Sequence, residues 1–412
     1  MDLDRRKLLA AAGTTVGGAL LGGGIGAGTA SAATARPDDM GDVDTDDAVD
    51  TEAGERAGSD RSFSWNRLRG MSAPSTLTDA DVEAFAATGG NLLRLGFAGT
   101  PLMRKTAPFD LDQEAFARLD AILDACERHG VHVVIDPHTL PGLRDNFTTF
   151  PDDEFWQDLR FHDLAHELWD YIAARYKDRG SVVAGYDLLN EPAVPDVRAE
   201  SGPASWNALA LGLVATVRAH DPDRHILIGT AISPKPDGPL WYSRFESVNA
   251  LPPPPDRRIV ITPHMYAPHA FTHQGVQADY PEGLHYPGTA PGQTWEGLPA
   301  SVYWDRAAIR DYLRPALDYQ RAHHVPVFVG EFSTPRWIGA DGNRYLRDTI
   351  EEFERLGWSW TYHAWREWEG WDAELSNDDK DDLTRYPSTP RLELLKHYFT
   401  RNGRRRPRGQ RL

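Results

Sequence analysis

Residues 112–136 read DQEAFARLDAILDACERHGVHVVID. Apolar residues recur at helical spacing over 112–129, and the run 131–136 is rich in valine and isoleucine. This pattern predicts an amphipathic helix that leads directly into a buried strand. The same unit recurs along the chain, with further helices predicted at 153–177, 205–220, 305–324 and 343–356 and further strands at 68–71, 91–97, 182–190, 225–229, 259–266, 325–331 and 358–365.

Eight strands separated by helices predict an α/β fold, a (β/α)8 TIM barrel with parallel strands inside and helices outside. An open doubly wound sheet is the alternative, but no Gly-x-Gly-x-x-Gly motif follows the first strand. The predicted domain, 61–400, is longer than the roughly 250 residues typical of such barrels. We therefore expect long βα loops, with the clearest candidates at 233–256 and 267–299.

The charge of the chain restricts its partners. Its 44 basic and 61 acidic residues give a net charge of −17, which argues against nucleic acid or anionic lipid as the main partner. Only six of the basic residues are lysines, and this choice favours a halophilic protein; a GC-rich genome is the alternative explanation. The single cysteine, Cys126, cannot form an internal disulfide and is predicted to be a buried thiol.

Both ends of the chain have the composition of segments outside the fold. Residues 1–36 contain Arg5-Arg6, a glycine-rich apolar run and an Ala-Ser-Ala cleavage pattern, which together predict a twin-arginine-type signal peptide. An uncleaved membrane anchor is the alternative. Residues 37–60 carry ten acids and one arginine and predict a disordered linker, and 401–412 predict a disordered basic tail. We expect a secreted protein without stable membrane insertion once the signal is cleaved.

Two glutamates follow predicted strands in distinctive settings. Glu191 stands in GYDLLNEP at 185–192, and Glu331 stands in VPVFVGEFS at 325–333. In a (β/α)8 barrel the carboxyl ends of the strands face one site, so the two carboxylates are expected to converge there. Paired carboxylates about 5 to 5.5 Å apart are the requirement for glycoside hydrolysis with retention of configuration.

Six further residues complete a resemblance to a known family. The motifs NLLRLGF, VVIDPHTLPG, ITPHMYAP and TYHAWREWEGW, together with the two glutamate motifs, resemble glycoside hydrolase family 5, the cellulase-like family of the (β/α)8 clan. The resemblance spans essentially all of 61–400. It implies Glu191 as acid/base, Glu331 as nucleophile, and supporting or substrate-binding roles for Arg94, His138, Asn190, His264, Tyr266 and Trp365.

The residue types suggest how these groups support the two carboxylates. Arg94 and Tyr266 are expected to donate hydrogen bonds to Glu331 and keep it ionised for attack. Glu191 has to begin protonated, so we expect its pKa to be higher than that of Glu331, with His264 placed to adjust it.

The remaining residues of the resemblance are expected to contact the bound sugar. Asn190 is expected to bind the 2-hydroxyl group, His138 a neighbouring hydroxyl, and Trp365 to stack on the ring. Each has a structural alternative when considered alone, since histidines often cap or fill a core and tryptophans pack well in barrels. Further tryptophans after the last strands, and the loop 267–275, are candidate sugar platforms or packing groups; the tryptophans are Trp337, Trp368 and Trp371.

Metal and cofactor chemistry are not expected. His162 with His166, and His269 with His273, have i, i+4 spacing, but no HExxH motif occurs and no cysteine supports a zinc site. The oligomeric state is left open by the sequence.

The resemblance implies a retaining hydrolase of β-1,4-glucan, an endoglucanase or cellulase-like enzyme whose partner is a polysaccharide or oligosaccharide. The same eight residues would also serve a β-mannanase, an exo-β-1,3-glucanase or a transglycosylase. A non-catalytic carbohydrate-binding surface protein is a further alternative, but it would have no need of both glutamates.

Overall fold

Eight parallel strands form the centre of the computed structural model, which describes residues 65, 68–276, 280 and 282–402. The predicted signal peptide, 1–36, the predicted linker, 37–60, and all but two residues of the predicted tail, 401–412, lie outside the described residues. The barrel strands are β1 (Arg69–Pro74), β2 (Leu92–Gly96), β3 (His132–Asp136), β4 (Val183–Asp187), β5 (His225–Gly229), β6 (Ile259–Thr262), β7 (Phe328–Val329) and β8 (Ser359–His363).

Seven longer helices alternate with these strands. They are α1 (Asp79–Ala87), α2 (Gln113–His129), α3 (Leu159–Tyr176), α4 (Trp206–Arg218), α5 (Arg306–His323), α6 (Gly339–Leu356) and α7 (Pro390–Phe399).

The strand order confirms the predicted (β/α)8 barrel. The sheet runs β7-β8-β1-β2-β3-β4-β5-β6, and every neighbouring pair is parallel. Parallel bridges between Ile261 and Val327 and between Met265 and Phe332 connect its two edges. An open doubly wound sheet would leave those edges apart, so that alternative is wrong.

The barrel interior changes from apolar to ionic along the strands. Leu92 of β2 and Val134 of β3 belong to a buried apolar cluster inside the barrel. Alternate residues of a strand point to the same face, so the next inward positions are Arg94 and Asp136, both buried. The apolar layer closes the amino-terminal end, and the charged layer forms the floor of a site at the carboxyl end.

Capping residues set the helix boundaries. The Asp112 side chain accepts from the backbone N–H groups at the start of α2, and Gly130 ends that helix in the left-handed conformation. The predicted helix 153–177 is instead divided, because Asp158 caps a new start and α3 begins at Leu159.

Two helices were not predicted, α1 and α7. Thr78 and Asp81 form a capping box before α1, and Thr389 with Pro390 begins α7. Both starts carry recognisable cap signals, but the helices are short.

The surplus length lies in loops after the strands, as predicted. The β5 loop contains a small antiparallel pair, Ser233–Pro234 with Trp241–Tyr242, and the β6 loop contains another, Gly288–Ala290 with Val302–Trp304. Within the described part of the chain, the helices are all too short or too polar to cross a lipid bilayer.

A substitution at Gly70 of β1 tests the packing of the barrel strands. A Cβ atom built at this position would lie 1.6 Å from the Leu92 carbonyl oxygen on the paired strand. Because backbone cannot move aside cheaply, Gly70→Ala is expected to lower the free energy of unfolding by more than about 3 kcal/mol. Gly99→Ala is the matched control, since nothing lies within 4 Å of its Cβ position. Equal denaturation midpoints for the two variants would contradict this account.

Candidate active site

Arg94 is the centre of the charged layer. Its Nε donates to Asp187 at 2.8 Å, its Nη1 to Oε1 of Glu331 at 2.7 Å, and its Nη2 to Oδ1 of Asn190 at 2.8 Å. Nη2 also lies 3.1 Å from Asp136. Arg94 is only 1% exposed, so one buried guanidinium connects the ends of four strands.

These contacts decide the charges on the floor of the site. Burial disfavours the guanidinium ion, but the carboxylates of Asp136, Asp187 and Glu331 outweigh burial and raise the pKa of Arg94. Asp187 pairs with Arg94 through one oxygen only, and its burial raises its pKa to about 7. The floor therefore contains a permanent cation and a carboxyl group that is partly protonated at neutral pH.

Glu331 is held by three donors. Arg94 binds Oε1, while the Tyr266 hydroxyl donates to Oε2 at 2.9 Å and Nδ1 of His363 lies 2.8 Å from the same oxygen. Burial alone would raise the pKa of Glu331, but His363 and Arg94 outweigh it and hold this pKa well below its usual range. The predicted roles of Arg94 and Tyr266 thus fit the geometry, and Glu331 is an oriented, ionised carboxylate.

Glu191 faces Glu331 across the site. Nδ1 of His264 lies 2.9 Å from Oε1 of Glu191, and Arg244 lies 3.5 Å from its Oε2. One oxygen each of Glu191 and Glu331 lie within 4.8 Å of each other. The two carboxylates therefore converge, at a separation near that of retaining glycosidases and shorter than the roughly 6.5 to 9.5 Å of inverting ones.

The pKa of Glu191 differs from the expectation that this residue begins protonated. Burial raises its pKa, but Arg244 and His264 outweigh burial and lower it to about 2. Arg244 comes from the long β5 loop, and nothing in the NEP motif predicts its approach. In the structure Glu191 is thus an ionised carboxylate, poised as a base.

Two further predicted residues, His138 and Asn190, line the same floor. Nδ1 of His138 lies 2.5 Å from Asp136, and Nδ2 of Asn190 donates to the Phe147 carbonyl oxygen at 2.6 Å. His138 and Glu191 have positive φ angles of 66° and 44°. Such angles are uncommon for residues other than glycine and concentrate at functional sites.

Trp365 does not join this cluster, which corrects the sugar-stacking role given to it. Its ring is buried against Phe85 of α1, and its Nε1 donates to the Asp81 carbonyl oxygen at 3.2 Å. The side chain is a packing group between the barrel and α1. The residue of β8 that faces the site is His363, two positions earlier.

The other tryptophans form an aromatic wall beside Glu331. Trp371 packs against Tyr266 and His363 with ring centroids 6.0 and 5.0 Å apart. Trp368 and Trp337 continue the wall outward from Trp371. The loop 267–275 reaches it as well, because the His273 ring lies 5.3 Å from Trp371.

Three charged residues of the site were not predicted: His363, Glu367 and Arg244. His363 and Glu367 have i, i+4 spacing just after a strand, which was an available signal within TYHAWREWEGW. Arg244 carries no local signal, because its loop has no pattern that relates it to Glu191.

The carboxylate pair also has the spacing of a metal site. Among the described residues, Glu191, His264 and Glu331 each offer a ligand atom within 4.8 Å of the others. Arg94 and His363, both with raised pKa values, already neutralise Glu331 and would repel a cation. We therefore interpret the group as paired carboxylates.

Comparison with known proteins agrees with this geometry. Residues 56–369 match the model of the family described as cellulase (glycosyl hydrolase family 5). The chain belongs to glycosyl hydrolase family 5. Endoglucanase C of Acetivibrio thermocellus is 24% identical over 327 residues, which cover 75% of this chain and 88% of that protein. The family 5 chain is thus a cellulase-like glycoside hydrolase.

Solved structures share the fold of this family 5 protein. Cel5A of Thermotoga maritima in complex with cellobiose superposes with a TM-score of 0.58 at 22% identity, over 80% of this chain and 97% of that one. The same enzyme with mannotriose gives a TM-score of 0.58 at 20% identity, over 80% and 97% of the two chains.

Arg244 offers a direct test of the electrostatics at Glu191. Because its cationic group lowers the pKa of that carboxyl, Arg244→Gln is expected to raise the pKa of Glu191 by roughly one unit. NMR titration of the glutamate side-chain carboxyl carbons measures the change. Arg244→Lys keeps the charge and is the control, expected to leave the pKa low. An unchanged titration in Arg244→Gln would show that His264 alone lowers this pKa.

Proposed function

We propose that the protein is a retaining β-1,4-glucan hydrolase of the endoglucanase type, with Glu331 as nucleophile and Glu191 as acid/base. The observation that carries the proposal is the approach of the two carboxylate oxygens to within 4.8 Å, with Glu331 held ionised by three donors. A pair at this separation leaves room for a sugar ring and none for an additional attacking water.

In the first step Glu331 attacks the anomeric carbon of the bound sugar. A carbon–oxygen bond forms to the Glu331 carboxylate as the glycosidic bond breaks, and the leaving oxygen takes a proton from Glu191. The product is a glycosyl ester on Glu331 and a free sugar hydroxyl. Arg94 and Tyr266 stay on the carboxyl group and orient it for attack.

In the second step Glu191, now ionised, accepts a proton from water while the water oxygen attacks the anomeric carbon. The ester bond breaks, and its electron pair returns to Glu331. Two inversions give overall retention, and both carboxyl groups return to their starting states.

The low pKa of Glu191 suits the second step better than the first. The negative charge of Glu331 raises the pKa of Glu191, and esterification removes this charge. The first step needs a further rise. We expect substrate to raise the pKa of Glu191 in two ways: it separates Glu191 from Arg244, and it excludes water. The Arg244 contact, at 3.5 Å, is longer than the 2.9 Å contact of His264.

Two residues beside the carboxylates are assigned to substrate hydroxyls. The Oδ1 of Asn190 is held by Arg94, and its position next to Glu191 suits the 2-hydroxyl group, whose hydrogen bond strengthens in the transition state. His138 is fixed through Nδ1 by Asp136 and is assigned a neighbouring hydroxyl.

The choice of β-1,4-glucan rests on the relatives. Endoglucanase C and the cellobiose complex of Cel5A favour glucan, and the mannotriose complex supports β-mannan as a second candidate. An exo-β-1,3-glucanase or a transglycosylase would use the same two carboxylates.

We also propose that the enzyme is exported by a twin-arginine-type signal and is adapted to salt. Arg5-Arg6 with the following apolar run supports the first point, and the net charge of −17 with few lysines supports the second. The domain division of 1–36, 37–60, 61–400 and 401–412 belongs to the same proposal.

Activity assays with variants of each carboxylate test the proposal. Release of reducing ends from soluble β-1,4-glucan, β-1,4-mannan and β-1,3-glucan is measured in high and low salt. We expect β-1,4-glucan to be the best substrate and Glu331→Ala to lose at least about a thousandfold in activity. Glu393→Ala, at an exposed position of α7, is the control and keeps full activity. Folded wild type that is silent on all three polymers would contradict the glucanase assignment.

The order of the two steps gives a second prediction. Glu191→Ala is expected to lose activity on polymer but to keep the first step on a dinitrophenyl glycoside, whose leaving group needs no proton. A rapid burst of dinitrophenolate followed by a slow steady state is the expected result, and NMR of the first product of wild type should show the β anomer. An α anomer would establish inversion instead.

A further inference from the structure

His363 lies between two carboxylates at the end of β8. Its Nδ1 is 2.8 Å from Oε2 of Glu331, and its Nε2 is 3.0 Å from Oε2 of Glu367. A neutral imidazole carries a proton on only one nitrogen, so it can donate to one carboxylate and not to both. The geometry thus fits an imidazolium ion with both nitrogens protonated.

The surroundings of the ring hold it in this position. Ser72 of β1 is its register partner, Trp371 packs on the ring, and the Tyr266 hydroxyl lies 3.0 Å from Nδ1. The charged groups with the largest effect on the ring are the anions Glu331 and Glu367, which outweigh burial and raise the pKa of His363 to about 10. Arg94 lies on the far oxygen of Glu331, and burial lowers the pKa of the nearby His273 to about 3, so that ring is neutral. A cation at this place is therefore stabilised from both sides.

We propose that His363 and Glu367 form a positioning pair in which Glu367 keeps His363 positively charged beside the nucleophile Glu331 throughout the reaction. The inference rests on the proposed function, because it assigns the pair to the two steps of that mechanism. It adds two residues that neither the motifs nor the comparisons assign.

Glu367 is needed because the charge on Glu331 disappears during turnover. Once Glu331 becomes a glycosyl ester, its carbonyl or ester oxygen attracts His363 only weakly, and a buried imidazolium without another anion would lose its proton. Glu367 keeps its charge through both steps. His363 thus remains a cation when the ester breaks, and it stabilises the negative charge that returns to Glu331.

The test uses three variants of the full chain. His363→Gln removes the cation and keeps one donor, Glu367→Gln keeps the shape of the partner without its charge, and Glu369→Gln is the matched control two residues further along the loop. We expect kcat/KM to fall about a hundredfold in His363→Gln and about tenfold in Glu367→Gln, with Glu369→Gln unchanged.

The pH profile separates an electrostatic role from a structural one. Glu331 acts as the ionised form, so the rate falls as pH drops through its pKa, and removal of the neighbouring cation raises that pKa. The acid limb of kcat/KM should therefore move to higher pH in His363→Gln. In Glu367→Gln the imidazolium is still present at low pH, so the loss of kcat/KM should instead grow as pH rises through the lowered pKa of His363. A uniform loss at all pH values, with the acid limb in place, would overturn the proposal.

A measurement without substrate keeps the inference independent of the enzyme assay. In nitrogen-15 NMR spectra, His363 of the wild type should stay doubly protonated through pH 8 and should titrate at lower pH in Glu367→Gln. A neutral ring in wild type at pH 7 overturns the pairing even if the enzyme is active. Inactive wild type with a charged His363 overturns the glucanase assignment and leaves the ion pair established.

Discussion

The buried guanidinium of Arg94 is the constraint from which the site is built. Asp136, Asp187 and Glu331 are buried acids at the ends of three different strands, and each lies within 3.1 Å of Arg94. Burying one such charge alone costs several kcal/mol. Arg94 is thus the condition for placing these carboxyl groups together, and the position of Glu331 follows from its need to reach the same cation.

The protonation states of the groups on the floor of the site then follow from the balance of their charges. Arg94 and His363 are cations, and the pKa of His138 beside Asp136 is raised as well. Four acids lie around them: Glu331, Glu367, Asp136 and Asp187. The raised pKa of Asp187, about 7, relieves part of the excess by proton uptake.

The sequence predicted the parts of this arrangement that follow from strand position. Glu191 and Glu331 stand just after β4 and β7, and the strand pattern alone brings their backbones to one end of the barrel. The position of Trp365 differs from its predicted place beside the sugar for a physical reason. The β8 strand ends at His363, so the alternation of side chains no longer decides direction two residues later, and the Trp365 ring turns outward to Phe85.

The positions of the long loops were predicted, but their contacts were not, because those contacts depend on tertiary structure. This difference between barrel and loop contacts has a functional meaning. In the proposed mechanism Glu331 keeps one charge until it reacts, and its partners Arg94 and Tyr266 lie on or next to barrel strands. In the proposed mechanism Glu191 gains and loses a proton in each turnover, which requires surroundings that substrate can alter. Its Arg244 partner is on a loop, at a contact of 3.5 Å, and its side chain is more exposed than that of Glu331. The contacts that fix the charge of Glu331 thus lie in the barrel, whereas the contacts that adjust the pKa of Glu191 lie in the loops. Loops are the segments that vary most easily without loss of the fold.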